Sequence, residues 1–253
     1  MRRYEKIVSF ARLATSYFLE YHYIFSKFVS TNQKVIDMTK ISAKPFTCLK
    51  CGSKGEFKMY DTVNVTLDPN LRERVLSGEI FDWTCPQCGE TLNIRHNLLY
   101  HDMKKKFQVY YSPLNCVELN DIMNETLAKW HGMIKTVRTV DSLNALSEKI
   151  FVFEEGLNDI AIELSKVFIK ISEEKKISKK NELRFEKLIV PDKDTSKGKL
   201  IFRQIIDKKP QKGLILFEKE TYDKFVKEVT TNEKFKMNNY CDTIDEKWIL
   251  NRI

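Results

Sequence analysis

Hydrophobic residues recur with two different periods along the chain, which predicts a mixed α+β protein. Between Glu56 and Leu67 apolar and polar residues alternate, as in a strand or hairpin. Asp68 and Pro69 can then begin a short helix with one apolar stripe, and Gly78 can end it. Further short apolar runs predict strands at residues 80–83, 91–94, 98–100 and 107–111.

A helical period begins after Thr139. Asp141 or Ser142 can cap a first helix, Gly156 breaks it, and a second helix follows directly, so the pair predicts a helical hairpin. The remaining chain predicts a small α/β part. It contains three short strands and a final helix, at Phe185–Val190, Leu200–Ile206, Leu214–Phe217 and Glu220–Val229.

Two segments allow more than one interpretation. Residues 114–138 lack a clear boundary, although four apolar residues suit a helix, namely Leu119, Ile122, Met123 and Leu127. Residues 1–37 are rich in aromatic side chains at helical spacing. This segment can be a helix on a membrane surface, a helix that docks on the rest of the chain, or an extension upstream of a true start at Met38.

Composition places the chain among folded proteins. It has 253 residues, 42% of them hydrophobic, with only 8 Gly and 6 Pro, which argues against long linkers. We therefore predict four parts. They are an N-terminal extension over residues 1–37, a metal-binding module over 46–113, a helical region with a hairpin over 114–175, and a small α/β part over 181–253.

Charge and hydropathy restrict the function only loosely. The formal net charge is +8, from 43 basic and 35 acidic residues, but the two signs are interspersed. This balance permits nucleic-acid binding without requiring it. No run of 18 apolar residues is present, so we expect no membrane span. Charged residues also interrupt any secretory signal near the N-terminus, so we predict a cytoplasmic protein.

Two matched cysteine pairs are the strongest chemical signal. They read Cys48-Leu-Lys-Cys51-Gly and Cys85-Pro-Gln-Cys88-Gly. Gly52 and Gly89 allow the backbone to turn tightly and to direct amides at the sulfurs. Four thiolates suit tetrahedral zinc, so we predict one zinc ion per chain. Because the protein supplies all four ligands, we expect a structural rather than a catalytic ion.

Other uses of these cysteines remain open. The pairs could be redox-active or form disulfides, although a reducing compartment disfavours disulfides. Iron is a further alternative, since rubredoxins use very similar cysteine turns and sequence alone does not separate the two metals. Cys116 and Cys241 have no neighbour at ligand spacing, which is typical of ordinary thiols.

Several runs around these cysteines resemble the prokaryotic CpXC domain family. The runs are Tyr60–Val65, Leu76–Glu79, Leu99–Met103, Arg138–Val140, Glu148–Ile150 and Gly156–Asp159. The first pair has Leu49 where the family typically has proline, but proline stiffens the turn without binding metal. The resemblance covers roughly residues 46–170 and implies the cysteine site. The family is essentially uncharacterised, so the resemblance implies no reaction.

A catalytic site is not evident from the sequence. His101 next to Asp102, with His96 nearby, invites a general-base interpretation. Adjacent residues usually point in different directions, however, and no familiar catalytic motif accompanies them. We therefore expect Tyr100, His101 and Asp102 to brace the metal module through hydrogen bonds, and we assign no catalytic residue.

Three functions follow from these observations. The first is a non-enzymatic binding or scaffold protein in which zinc stabilises a module that recognises another protein. The second is nucleic-acid binding by the metal-binding module, which we predict to be a β module like a zinc ribbon or rubredoxin knuckle. Its contacts would be Arg72, Arg74, Arg95, Lys104, Lys105 and Lys106, with Tyr110 or Tyr111 for stacking. The third is an enzyme that uses the His96, His101 and Asp102 region.

Overall fold

A computed structural model describes residues 38–113, 134–173, 177–178, 181–191, 197–207, 209–237 and 242–253. In that part of the chain strands and helices are mixed, which confirms the predicted α+β class. The strands are β1 Lys40–Thr47, β2 Lys54–Asn64, β3 Asp82–Thr84, β4 Thr91–Asn93, β5 Leu98–Asp102, β6 Phe107–Tyr111, β7 Thr136–Val140, β8 Glu182–Ile189, β9 Lys199–Ile206 and β10 Lys209–Glu218. The helices are α1 Leu71–Ser77, α2 Leu143–Glu154, α3 Asp159–Ser172, α4 Lys219–Thr231 and α5 Glu246–Leu250.

The strands form three sheets. The largest has the order β1-β2-β5-β6-β7, and the others are β10-β9-β8 and the hairpin β3-β4. In the largest sheet β2 pairs parallel to β5, and β6 pairs parallel to β7. A parallel pair needs a crossover connection. The crossover from β2 to β5 contains α1, β3 and β4, and therefore places the second cysteine pair near the β1–β2 hairpin.

Local signals explain most of the helix ends. Gly78 ends α1 in the left-handed conformation with φ 80°, as predicted. The start of α1 differs from the prediction, because residues 68–70 form a turn in which the Asp68 carbonyl accepts from Leu71 N. Helix α1 therefore begins at Leu71, with Asn70 before it, rather than at Pro69.

The predicted helical hairpin is present. The Ser142 hydroxyl accepts a hydrogen bond from Ala145 N and caps α2. Gly156 has φ 69° in the turn after α2. The Asn158 side chain accepts from Ile160 N and Ala161 N, which caps α3. Each boundary thus lies where a capping or turn residue stands in the sequence.

Two strands were not predicted. β1 contains Lys40, Lys44 and Pro45, which are poor strand formers, and it is extended because β2 pairs with it along its length. β7 lies at the end of the ambiguous segment and joins the edge of the large sheet. The predicted helical residues between Leu119 and Leu127 lie outside the described residues, as do residues 1–37, Cys116 and Cys241.

Two hydrophobic clusters fill the described part of the molecule. The larger runs from Val63 in β2 to Ile249 in α5 and includes apolar residues of both large sheets and of all five helices. The smaller consists of Cys48, Phe57, Trp83 and Cys85, with partly buried neighbours around them. No helix among the described residues is long and apolar enough to cross a membrane.

Candidate metal centre

Each cysteine pair lies in the turn of a β-hairpin. β1 and β2 pair up to Thr47 and Lys54, and β3 and β4 pair up to Thr84 and Thr91. The two turns repeat the same hydrogen bond, in which the glycine after each pair donates to the first cysteine carbonyl at 2.9 Å. These glycines have φ 74° and 71°, a conformation that an L side chain rarely adopts. The sequence therefore shapes two equivalent cysteine turns.

The two turns bring all four sulfurs together. The Sγ atoms of Cys48, Cys51, Cys85 and Cys88 lie within 4.8 Å of one another. Two contacts join the hairpins, with the sulfurs of Cys48 and Cys88 3.7 Å apart and those of Cys51 and Cys85 3.7 Å apart. A tetrahedral site with Zn–S bonds of ~2.3 Å places sulfurs about 3.8 Å apart. The cluster can therefore hold a metal ion of that size.

Trp83 fixes how the two hairpins meet. Its indole Nε1 donates to the Glu56 carbonyl at 3.0 Å, and its ring lies 4.9 Å from that of Phe46 in an edge arrangement. A Cβ atom at Gly55 would lie 2.8 Å from the Trp83 ring, so only glycine leaves room for it. Neither residue was singled out from the sequence for this role, because the contact joins positions far apart in the chain.

The thiols influence one another strongly. The Ser53 hydroxyl lies 3.1 Å from the sulfurs of both Cys51 and Cys85. This contact lowers the pKa of Cys51 and lowers the pKa of Cys85 to about 6. The Glu90 amide lowers the pKa of Cys88, but desolvation and the adjacent thiols outweigh it and the pKa rises to about 12. Four adjacent thiolates need a cation among them, which a divalent metal supplies.

The centre is open to solvent on one side only. Cys48 and Cys85 are buried, whereas Cys51 and Cys88 are exposed. An exposed ion pair, Lys50 with Glu90 at 2.7 Å, joins the two turns on the open side. Among the residues that the structure describes, these four cysteines are the group of potential ligands close enough to hold a metal ion. Four protein sulfurs leave no coordination position for a substrate.

The histidines that suggested a general base are not arranged as one. His101 is buried in β5, and Asp102 beside it points to the opposite face of the strand. Asp102 instead accepts from Lys105 N at 2.9 Å and holds the turn after β5. His96 packs against Phe81 with ring centroids 4.9 Å apart, and burial lowers its pKa to about 4. The three side chains therefore do not form a shared site.

Tyr100 supports the large core rather than the metal centre. Its ring stacks on Phe107 at 5.9 Å, and it belongs to the larger cluster, whereas Cys48 and Cys85 belong to the smaller one. Tyr100 therefore stabilises the sheet of the metal-binding module by packing in its core, and not by a contact close to the cysteines.

The prediction that Tyr110 or Tyr111 stacks on nucleic-acid bases is wrong. Tyr110 and Tyr111 are both buried in β6, so neither can stack on a base. Arg72 is also occupied, because its guanidinium donates to both carboxylate oxygens of Glu154, at 2.7 Å and 2.6 Å. Arg74 donates to Glu79 at 2.9 Å. Two of the six basic residues predicted as contacts are therefore paired with carboxylates of the protein itself.

The helical hairpin and strand β7 contribute to a buried cluster of charged residues that the sequence did not predict. Its members are Arg138, Glu148, Lys149, Asp159, Glu163 and Lys166. The Asp159 carboxylate accepts from Arg138 at 2.7 Å and from Lys149 at 3.0 Å. Lys166 Nζ lies 2.8 Å from Glu148 and 3.0 Å from Glu163. Helical spacing alone does not distinguish such residues from a solvated face.

The same cluster connects the helical hairpin to the C-terminal sheet. Glu148 Oε1 accepts a hydrogen bond from the Phe185 amide of β8 at 2.6 Å, while its other oxygen binds Lys166. A buried backbone amide needs such a partner. One carboxylate therefore serves both the ion pairs and the packing of β8 on α2.

The fold and the site together define an α+β protein with a four-cysteine centre carried on two β-hairpins. Residues 46–166 match the model of a family described as CpXC protein. The match confirms the resemblance and includes all four cysteines and the buried charged cluster. No curated protein and no solved structure matches the chain.

Proposed function

We propose that Cys48, Cys51, Cys85 and Cys88 bind one zinc ion per chain and that this zinc is structural. The observation that supports it is the meeting of four sulfurs from two matched turns, within 4.8 Å of one another. Zinc is the usual ion of four-cysteine structural sites, and thiolate ligands imply a reducing compartment such as the cytoplasm. Iron in the same ligand set is the alternative.

Metal analysis tests this assignment directly. Protein produced without added metal should contain close to one equivalent of zinc per chain and be colourless. Cys85→Ser should lose the zinc, whereas Cys116→Ser should retain it, because Cys116 is outside the two pairs. A red protein with one equivalent of iron would overturn the choice of metal, and metal-free protein would overturn the site.

The same centre supports a role as a non-enzymatic protein-binding module. Four protein ligands leave zinc no open position for chemistry. The first cysteine turn presents Leu49, which is 77% exposed, beside the metal, and the adjacent strand β1 presents Ile41 and Pro45. Exposed apolar side chains on a rigid turn are typical contacts for another protein. Zinc would then hold this surface in one shape.

A pair of variants separates this role from a purely structural one. Leu49→Asp should retain zinc but lose the protein partner that the wild-type chain captures in its own cells, because Leu49 does not touch the larger core. Leu67→Asp is the control, since Leu67 is also exposed but lies away from the cysteine turns. If Leu49→Asp retains every partner of the wild type, the proposed binding surface is wrong.

A further inference from the structure

Strand β10 is an edge of the C-terminal sheet with an unusual sequence. Residues 213–217 read Gly-Leu-Ile-Leu-Phe, with neither a charge nor a proline. Ile215 and Phe217 pack toward the large core, whereas Leu214 and Leu216 are 49% and 57% exposed on the other face. Edge strands of monomeric proteins usually carry charges, prolines or covers that prevent pairing with another chain.

Two other sheet edges show such protection. β1 has Pro45 within the strand, and a proline cannot donate to a neighbouring strand. At the edge of β8, the Glu148 carboxylate accepts a hydrogen bond from the Phe185 amide, so that amide is not available to another strand. Over Leu214–Phe217, the described part of β10 has no charge, proline or such contact, and its regular pairing with β9 keeps that stretch extended. This stretch is therefore the part of the described surface best suited to accept another strand.

The sequence of β10 is complementary to itself in the antiparallel direction. If two copies pair with Ile215 at the centre, Leu214 lies opposite Leu216 of the second copy. In the same register Lys212, which precedes the regular part of β10 and lies in the irregular stretch between Pro210 and Leu214, comes nearest to Glu218 of the second copy. All four of these side chains are exposed in the single chain. The register therefore matches apolar with apolar and basic with acidic on one face, and the two-fold symmetry repeats each match.

We propose that β10 is a homodimer interface, in which two copies of the chain pair antiparallel through this strand into one six-stranded sheet. The backbone groups on the free side of β10 would gain hydrogen bonds, and the four leucines would lose contact with water. Glu218 also lies 3.1 Å from Lys199 on β9. Both side chains of that pair are exposed, so the pair is weak and does not prevent Glu218 from meeting Lys212.

Sedimentation of the full chain with its metal tests the interface. The wild type should sediment at twice the mass of one chain, and Leu216→Lys should weaken association by about 100-fold, since it places two charges in the centre of the interface. Leu67→Lys is the matched control, because Leu67 is 55% exposed elsewhere and should leave the dimer intact. A wild type that stays monomeric, or a Leu216→Lys variant that stays dimeric, overturns the proposal.

A charge exchange tests the register itself. Lys212→Glu places like charges opposite Glu218 of the second copy, and Glu218→Lys places like charges opposite Lys212, so each change should weaken association roughly tenfold. The double variant restores opposite charges and should recover most of the wild-type affinity. If the double variant is weaker than either single variant, the pairing of these two residues is wrong. Circular dichroism of each variant should match the wild type, because both side chains are exposed.

Discussion

The cysteine centre and the buried charged cluster bring polar side chains together in opposite ways. In the charged cluster of α2, α3 and β7, three cations and three carboxylates pair with one another beside the larger core. At the cysteine centre, four thiols meet beside a core of only a few side chains, and the described part of the chain buries no cationic side chain among them. The charged cluster thus contains its own counter-charges, whereas the cysteine centre needs an ion from outside.

This difference predicts where the molecule depends on metal. The two hairpins that carry the cysteines share a small apolar contact around Trp83, which alone offers little burial. The helices α2 and α3 contribute to a continuous core that extends to α5. Metal should therefore control the stability of the hairpins and leave the helices largely unaffected.

The largest expected effect is the loss of metal. Chelation, or Cys85→Ser, should expose the amides of β3, β4 and the first cysteine turn to hydrogen exchange, while α2 and α3 remain protected. Structural zinc contributes an apparent ~10–16 kcal/mol of binding free energy, far more than this small contact can replace. Hydrogen exchange followed by mass spectrometry resolves the two regions. Uniform loss of protection would contradict the separation.

The second effect concerns Asp159. Asp159→Ala should destabilise the protein by about 3–5 kcal/mol, because it leaves Lys149 buried without its closest carboxylate. Zinc content should not change. Denaturant unfolding measures the loss of free energy, and an Asp159→Ala protein as stable as the wild type would show that the cluster is dispensable.

The pH dependence of the same residue has a defined sign. Burial opposes ionisation of Asp159, but the charges of Lys149 and Arg138 outweigh it and hold its pKa well below the usual range. A depressed folded-state pKa contributes stability above the unfolded pKa, which is lost as the pH falls through the acidic range. Asp159→Asn should therefore flatten the decline in stability below about pH 4.

A third and smaller effect should follow from Gly55→Ala. The added methyl group would overlap the Trp83 ring and destabilise the contact between the hairpins by about 1–3 kcal/mol. Gly213→Ala is the control, because no atom lies within 4 Å of the new Cβ. Gly55→Ala should melt at a lower temperature than Gly213→Ala. Equal melting temperatures would show that the Trp83 ring does not pack against Gly55.

Replacing Ser53 should have a smaller effect, which falls on the affinity of the cysteine centre for metal. Its hydroxyl reaches sulfurs of both turns, whereas Glu90, at the equivalent position of the second turn, pairs with Lys50 on the surface. Ser53→Ala should weaken zinc binding about tenfold, as is usual for residues that support metal ligands. Glu90→Gln should have a smaller effect, because its ion pair is exposed. Competition with a chelator measures both, and equal losses would contradict a specific role for Ser53.

The smallest expected effect is on nucleic-acid binding. Replacing Lys104, Lys105 and Lys106 with alanine should change little, because Lys105 already donates to the Glu154 carbonyl and the predicted stacking tyrosines are buried. The logarithm of the binding constant should fall with the logarithm of the salt concentration, with a slope of about −1 to −2. A slope of roughly −4 to −5 that those three changes abolish would restore the nucleic-acid hypothesis.

Elements with local signals were predictable from the sequence. The cysteine turns, the end of α1 at Gly78 and the caps of α2 and α3 each depend on residues close together in the chain. β1 was missed because it contains lysines and a proline, and β7 because it lies at the end of a segment without a clear boundary. β1 is a strand because β2 pairs with it across the first cysteine turn, and β7 is a strand because β6 pairs with it across a crossover.

The sequence by itself therefore determined the four candidate ligands and the turns that present them, since five consecutive residues shape each turn. Tertiary structure alone brought the two turns together, with Cys48 placed 3.7 Å from Cys88 and Cys51 placed 3.7 Å from Cys85. It also buried Tyr110, Tyr111 and the charged residues of α2 and α3, which helical or strand spacing would equally allow on a surface. The physical reason is that burial and counter-charge depend on what another segment brings to the same place, and spacing along the chain does not carry that information.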